Sequence, residues 1–154
     1  LWRFDLPDRR AELLVRGGSV NAFDKRAGTL VTLADSAAHP ARVHAHLPGE
    51  KPRRIETFNY RLLAGLRLGT TEERWFDGAL GDPVQMWLSY PPGFDAKKRY
   101  PLLHVIHGGP HAAAGDGWHY RWNTAAFAAM GYVVCSVNYH GSSGFGYAFL
   151  DSIS

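Results

Sequence analysis

The residues best suited to chemistry stand in one short run, His107-Gly108-Gly109-Pro110-His111. Two consecutive glycines clear side chains away from the backbone, so main-chain N–H groups there can face a ligand directly. Unobstructed N–H groups of this kind suit an oxyanion or a phosphate. The sequence therefore predicts an anion-accepting turn at these glycines.

The histidines around this turn could suggest a metal site, since His104, His107 and His111 are three and four residues apart. Such spacing places ligands on one side only in a helix, and the intervening glycines and proline exclude a helix. The chain also lacks an H-E-x-x-H motif. We therefore expect no metal and no cofactor. His104 is predicted to be a strand residue, and His107 to orient the turn by hydrogen bonding.

Neither the cysteine nor the serines of the chain have the sequence context of a catalytic nucleophile. Cys135 lies in an apolar strand pattern, where burial raises the pKa of a thiol and lowers its reactivity. A Gly-x-Ser-x-Gly elbow centred on Ser143 needs glycine at position 145, and one centred on Ser142 needs glycine at position 140. The chain has Phe145 and His140 instead. We therefore expect these 154 residues to contain no catalytic nucleophile and to be inactive alone.

Three elements must position the turn. Residues 102–107 form an apolar run of strand length that stops at the glycines, and residues 132–137 form a second apolar strand. Between them, residues 122–130 carry apolar side chains at helical spacing, with Gly131 at the C-terminal stop position. Strand, turn, helix and strand make a βαβ unit, whose strands are parallel and buried by helices on both faces.

In this setting, the run from His107 to His111 resembles the oxyanion loop of the prolyl oligopeptidase family of serine peptidases, which have the α/β-hydrolase fold. Lipases and esterases carry a third glycine in this loop, where the present chain has Pro110. The run of residues 138–146, Asn-Tyr-His-Gly-Ser-Ser-Gly-Phe-Gly, also favours the peptidase family. The family usually has arginine at the position of His140, so the chain departs from the family pattern there.

The resemblance implies roles for the turn and for what should follow it. The Gly109 N–H would be one oxyanion-hole donor, with His107, Gly108 and Pro110 supporting the loop. A Ser-Asp-His triad would lie downstream of Ser154, and the enzyme would hydrolyse short peptides, as in the dipeptidyl-peptidase and acylaminoacyl-peptidase branches. Two alternatives stay open: an esterase of the α/β-hydrolase fold, and a catalytically inactive binding module.

Residues 1–58 contain short strand patterns separated by turns, and four strands fit between residues 19 and 58, the spacing of one propeller blade. A small sandwich or a two-sheet domain is the alternative. The resemblance favours the propeller, because the family places one beside its hydrolase domain. The expected fold class is therefore mixed: the C-terminal part of a β-propeller in residues 1–58, then the truncated N-terminal part of an α/β-hydrolase domain in residues 71–154. Residues 59–70 are the crossover, where Asn59 is predicted to cap a short helix.

The chain has a net charge of +3, and its basic excess lies in residues 1–70, which carry 12 lysines and arginines against 7 acidic residues. These arginines are scattered among turns and strand ends, so we expect no nucleic-acid partner. No apolar run approaches the length of a membrane span, so we expect no membrane partner, and residues 1–5 are not typical of a signal peptide. We expect the N-terminus of the full protein to lie upstream of Leu1, so cytoplasm and periplasm both stay open. The expected partners are a peptide substrate and the remainder of the same protein, which is needed for folding, and a homo-oligomer of the full-length protein stays open.

Overall fold

The computed structural model describes all 154 residues as three sheets and three short helices. The strands of the first part are β1 (Trp2–Asp5), β2 (Arg10–Leu13), β3 (Ser19–Arg26), β4 (Thr29–Ser36), β5 (His39–His46) and β6 (Arg53–Arg54). The elements that follow are α1 (Tyr60–Ala64), β7 (Thr71–Asp77), β8 (Pro83–Ser89), β9 (Leu102–His104), α2 (Thr124–Ala129), β10 (Val133–Asn138) and α3 (Tyr147–Asp151). None of the helices is long and apolar enough to cross a membrane.

The strands of the first part pair only with their neighbours in sequence. β1 and β2 form a separate antiparallel ribbon, while β3, β4, β5 and β6 form one antiparallel sheet in chain order. Turn residues at positions 27–28 and 37–38 connect the long strands. The four predicted strands between residues 19 and 58 are therefore present in a single sheet.

The second sheet has the order β7-β8-β10-β9. β9 and β10 are parallel, with Leu102 opposite Val133, and α2 connects them, so the predicted βαβ unit is confirmed. β8 runs antiparallel to both β7 and β10. This topology brings the ends of β9 and β10 to the same edge of the sheet, next to the glycine turn.

The prediction that both parallel strands are buried on both faces is wrong for β9. β9 is the edge strand of the sheet, and Leu102 is 65% exposed, whereas Val134 in β10 is buried. The regular strand also ends at His104 rather than at residue 107, although the Val105 N–H still donates to the Cys135 carbonyl at 2.8 Å. The physical reason is that β9 has a strand neighbour on one side only, and that α2 packs mainly against β10 and β8.

Both helix predictions need correction at their caps or faces. Asn59 adopts a left-handed conformation with φ of 59°, and its side chain does not cap α1, so the predicted cap is wrong. Helix α2 begins at Thr124 because the Asn123 side chain caps it, accepting a hydrogen bond of 3.0 Å from the Ala126 N–H. Its buried residues are Ala125 and Ala128, whereas Trp122 and Met130, the ends of the predicted helix, are exposed and lie outside it.

Candidate functional site

The glycine turn lies directly beyond β9, and the chain leaving β10 runs alongside it. We call residues 107–114 the glycine loop and residues 138–143 the support segment. Hydrogen bonds join five residue pairs across these two segments. The parallel pairing of β9 and β10 is what brings the two segments together.

His107 is fixed on three sides. Its ring stacks on Tyr139 with 4.4 Å between ring centroids, and the Tyr139 hydroxyl donates to the His107 carbonyl at 2.6 Å. Its Nδ1 lies 3.1 Å from the Gly108 carbonyl and its Nε2 lies 2.9 Å from Ser142 Oγ. Because a carbonyl only accepts, the neutral imidazole carries its proton on Nδ1, and its Nε2 accepts from the Ser142 hydroxyl.

Gly109 has a backbone that other residues would adopt only under strain. Its φ is 140°, and a Cβ added there would lie 2.8 Å from the Ala112 N and 3.0 Å from the His111 N. Gly108 differs, since a Cβ there would meet nothing within 4 Å. The Gly109 N–H donates to no backbone or side-chain acceptor of the chain, and a cis peptide bond follows it to Pro110.

The remainder of the glycine loop is held by contacts that the sequence analysis missed. His111 Nδ1 lies 2.9 Å from the Gly141 carbonyl, and the Ser143 N–H donates to the Ala112 carbonyl at 3.1 Å. Further along, the Asn138 side chain contacts both backbone polar groups of Ala114. The one available signal was the polar run that begins where β10 ends.

Of the three candidate nucleophiles, Ser142 and Cys135 are enclosed, while Ser143 is half-buried. Ser142 has no exposed surface, and its hydroxyl is taken up by His107. Cys135 is buried in β10 beside Met86, and burial raises the pKa of its thiol above the ordinary value. Neither side chain can reach a ligand in this structure. No group of three or more His, Cys, Asp or Glu residues has the geometry to hold a metal ion.

His140 joins the support segment to the hairpin between β7 and β8. Its Nε2 lies 3.0 Å from Asp82 Oδ2, and its ring stacks on Phe149 with 4.6 Å between centroids. The His140 imidazole therefore has a packing and hydrogen-bonding role at the position where the family usually has arginine.

A cleft of about 860 Å³ opens beside the glycine loop and is bordered by both parts of the chain. Asn21 and Asp35 of the β3–β6 sheet line one side, while His104, His107 and Gly108 line the other. Aromatic residues of the loop after the glycine turn complete it, namely Trp118, His119 and Trp122. The cleft is large enough for a small ligand.

Comparison with known proteins shows which family this chain resembles in sequence and in fold. Residues 118–154 match the model of the prolyl oligopeptidase family. Dipeptidyl-peptidase 5 of Schizosaccharomyces pombe is 40% identical over 104 residues, which cover 65% of this chain and 15% of that protein. Dipeptidyl-peptidase 5 of Arthroderma otae is 38% identical over 142 residues, which cover 89% of this chain and 19% of that protein. The chain thus spans less than a quarter of the length of these relatives.

Solved structures give the same result at the level of the fold. The acylaminoacyl peptidase of Pyrococcus horikoshii has a TM-score of 0.74 at 23% identity, with 92% of this chain and 22% of that chain covered. Dipeptidyl peptidase 4 of Porphyromonas gingivalis has a TM-score of 0.66 at 25% identity, with 96% of this chain and 22% of that chain covered.

Proposed function

This chain is related to the prolyl oligopeptidase family, and on that premise we propose that it is part of a serine peptidase that hydrolyses short peptides. Its relatives are named as dipeptidyl peptidases, and that branch is our choice for the full-length protein. The nucleophile, acid and base would come from a Ser-Asp-His triad downstream of residue 154. These 154 residues alone would then be inactive.

We also propose the division of the chain into two domains. The antiparallel sheet of four sequential strands supports the end of a β-propeller in residues 1–58. The parallel pair of β9 and β10, entered through the antiparallel strands β7 and β8, supports the start of an α/β-hydrolase domain in residues 71–154. Residues 59–70 would connect them.

The single observation that carries the proposal is the free N–H of Gly109. It lies at the carboxyl end of a parallel strand, unpartnered, in a loop whose flanking groups are fixed by His107 and its contacts. When a peptide carbonyl is attacked, its oxygen becomes negative, and a preorganised N–H stabilises that charge. The second donor would be the N–H of the residue after the nucleophile.

Each supporting residue has a distinct role in this scheme. His107 anchors the start of the loop through Tyr139 and Ser142, and Gly108 leaves space beside the turn. Pro110 has no N–H, so it offers no competing donor directly after Gly109. The substrate peptide would lie in the cleft described above, against His104 and Trp122.

The exposed edge of β9 supports the remaining part of the proposal. Leu102 and Ile106 are 65% and 69% exposed. An open strand edge with apolar side chains favours pairing with another segment of polypeptide. We propose that further segments of the same protein cover this edge, so the rest of the protein is needed for folding.

The test is a fluorophosphonate serine probe and paired substrates applied to the full-length protein. We expect labelling of one serine outside residues 1–154 and faster turnover of a chromogenic dipeptide than of a short-chain acyl ester. Replacing the labelled serine by alanine is the control, and it should abolish both. Labelling of Ser142 or Ser143 would overturn the proposal, preferential ester turnover would favour an esterase, and absent labelling would favour an inactive binding module.

A further inference from the structure

We propose that Asn138 is a positioning residue for the Gly109 donor, because its buried side-chain amide holds the far end of the glycine loop at Ala114. The inference rests on the proposed function and names a residue that the oxyanion scheme above does not use. Asn138 would not touch the substrate.

The geometry is that of a two-point clamp. Asn138 is the last residue of β10 and is 1% exposed. Its Oδ1 accepts a hydrogen bond of 2.7 Å from the Ala114 N–H, and its Nδ2 donates to the Ala114 carbonyl at 2.9 Å. One side-chain amide thereby satisfies both backbone polar groups of a residue 24 positions earlier. The Trp87 indole N–H also donates to the Ala114 carbonyl, at 3.2 Å.

The orientation of this amide is set by a second buried amide. Asn138 Nδ2 also donates to Gln85 Oε1, and Gln85 Nε2 lies 3.4 Å from Glu73 Oε1. Since a carboxylate only accepts, Gln85 must present its nitrogen to Glu73 and its oxygen to Asn138. The side chains of Glu73, Gln85 and Asn138 therefore form one chain of hydrogen bonds that ends at the glycine loop.

The consequence for Gly109 follows from where the loop is held. His107 is fixed at one end by Tyr139 and Ser142, and Ala114 is fixed at the other by Asn138. Gly109 lies between these two anchors, and its own N–H has no protein partner to hold its direction. A donor stabilises a developing charge only if its direction is set beforehand, so the clamp at Ala114 contributes to catalysis through position.

The test is Asn138→Asp in the full-length protein. Aspartate has the same shape and keeps an acceptor for the Ala114 N–H, but it loses both donated bonds and turns a carboxylate oxygen towards two carbonyl oxygens. We expect kcat on a chromogenic dipeptide to fall by about 10-fold or more while KM changes by less than about threefold, the pattern of an interaction made in the transition state. Affinity for a dipeptidyl boronic acid, whose tetrahedral adduct places an oxygen at the same donor, should fall in parallel.

Ser89→Ala is the matched control. Ser89 is also buried and hydrogen-bonded, to Thr71 at 2.8 Å and to Thr124 at 3.0 Å, but it does not contact the glycine loop. We expect its melting temperature to fall without a change in kcat. If Asn138→Asp fails to fold, Trp87→Phe removes one bond to Ala114 and should give a smaller loss of kcat than is expected for Asn138→Asp.

Three outcomes would refute the role of Asn138. The first is a folded Asn138→Asp protein with normal kcat. The second is an Asn138→Asp protein whose kcat falls no more than that of Ser89→Ala at an equal loss of melting temperature. The third, where Asn138→Asp does not fold, is a normal kcat in Trp87→Phe. An active wild-type protein with any of these results leaves the proposed function intact. A wild-type protein without serine labelling or peptide turnover refutes the proposed function and the Asn138 role together.

Discussion

Asp35 and Trp118, 83 residues apart, are joined by a hydrogen bond of 2.8 Å from the Trp118 N–H to Asp35 Oδ1. Asp35 belongs to β4, whereas Trp118 lies in the loop between the glycine turn and α2. The Gly18 N–H makes a second bond of this kind, donating to Asp116 Oδ2 at 2.9 Å. These are the two hydrogen bonds between residues 1–58 and 71–154, and Asp35 and Trp118 line the cleft.

Asp35→Ala should therefore loosen the contact between the two parts of the chain. Removing the carboxylate leaves the Trp118 N–H without its acceptor, and it also breaks the bond of 2.7 Å from Asn21 Nδ2. We expect a stability loss of about 1–3 kcal/mol in the full-length protein, seen by urea unfolding. Faster proteolysis within residues 113–123 should accompany it.

Asp24→Ala provides the comparison for this prediction. Asp24 lies in the same sheet, but its carboxylate is exposed and contacts only the N–H of its neighbour Lys25. Its replacement should change stability by less than about 0.5 kcal/mol. Equal effects of the two variants would contradict a specific contact at Asp35.

The two glycines of the turn should respond differently to alanine. Gly109→Ala places a Cβ 2.8 Å from the Ala112 N at a φ of 140°, while Gly108→Ala meets open space. We expect Gly109→Ala to lower kcat of the full-length protein at least about 10-fold, because a displaced donor no longer faces the oxyanion. Gly108→Ala should retain most activity.

A change at a single atom would test the Gly109 donor more directly. Semisynthesis can replace Gly109 by glycolic acid, which exchanges the Gly109 N–H for an ester oxygen and leaves the rest of the backbone unchanged. Loss of one oxyanion donor should lower kcat by about 10²–10³ with a smaller change in KM. Near-normal kcat in this folded ester variant would remove the role from Gly109.

The variant Ser142→Ala should show whether Ser142 supports the glycine loop or acts as a nucleophile. The Ser142 hydroxyl has no exposed surface and donates to His107, so we expect fluorophosphonate labelling of the full-length protein to persist after its removal. The His107 ring loses one of its fixed contacts, and kcat should fall by about 2- to 10-fold, roughly the effect of one neutral hydrogen bond. Loss of labelling in a folded variant would contradict this prediction.

Glu72 should make stability depend on pH in the acidic range. The Tyr90 hydroxyl and then Arg74 donate hydrogen bonds that hold the pKa of the Glu72 carboxyl below its ordinary value of 4.5. A lowered pKa in the folded state means that the stabilisation is complete above pH 4.5 and is lost as pH falls through the folded value.

Glu72→Gln is the variant that measures this effect. It should reduce the free energy of unfolding near pH 7, and the difference from the wild-type protein should shrink as pH falls below about 4.5. Urea titrations at several pH values check the expectation. A difference that stays constant down to pH 2 would show that Glu72 stabilises the fold without its charge.

Much of the fold could be predicted because it depends on local pattern. The strands between residues 19 and 58, the βαβ unit and the glycine turn all follow from side-chain alternation, helical spacing and turn residues. The errors occurred where tertiary packing decides, as in the exposure of β9, or where backbone conformation overrides residue preference, as at Asn59.

By itself, the sequence determined that a turn whose backbone is free of side chains at Gly108 and Gly109 follows an apolar strand, since these properties belong to the residues and their neighbours. Only the tertiary structure decided that the Asn138 side chain is hydrogen-bonded to Ala114, and that the Asp35 carboxylate is hydrogen-bonded to the Trp118 N–H. Single polar side chains leave no periodic pattern in a sequence. Their partners are chosen by the path of distant loops, which is fixed only when the sheets and α2 have packed.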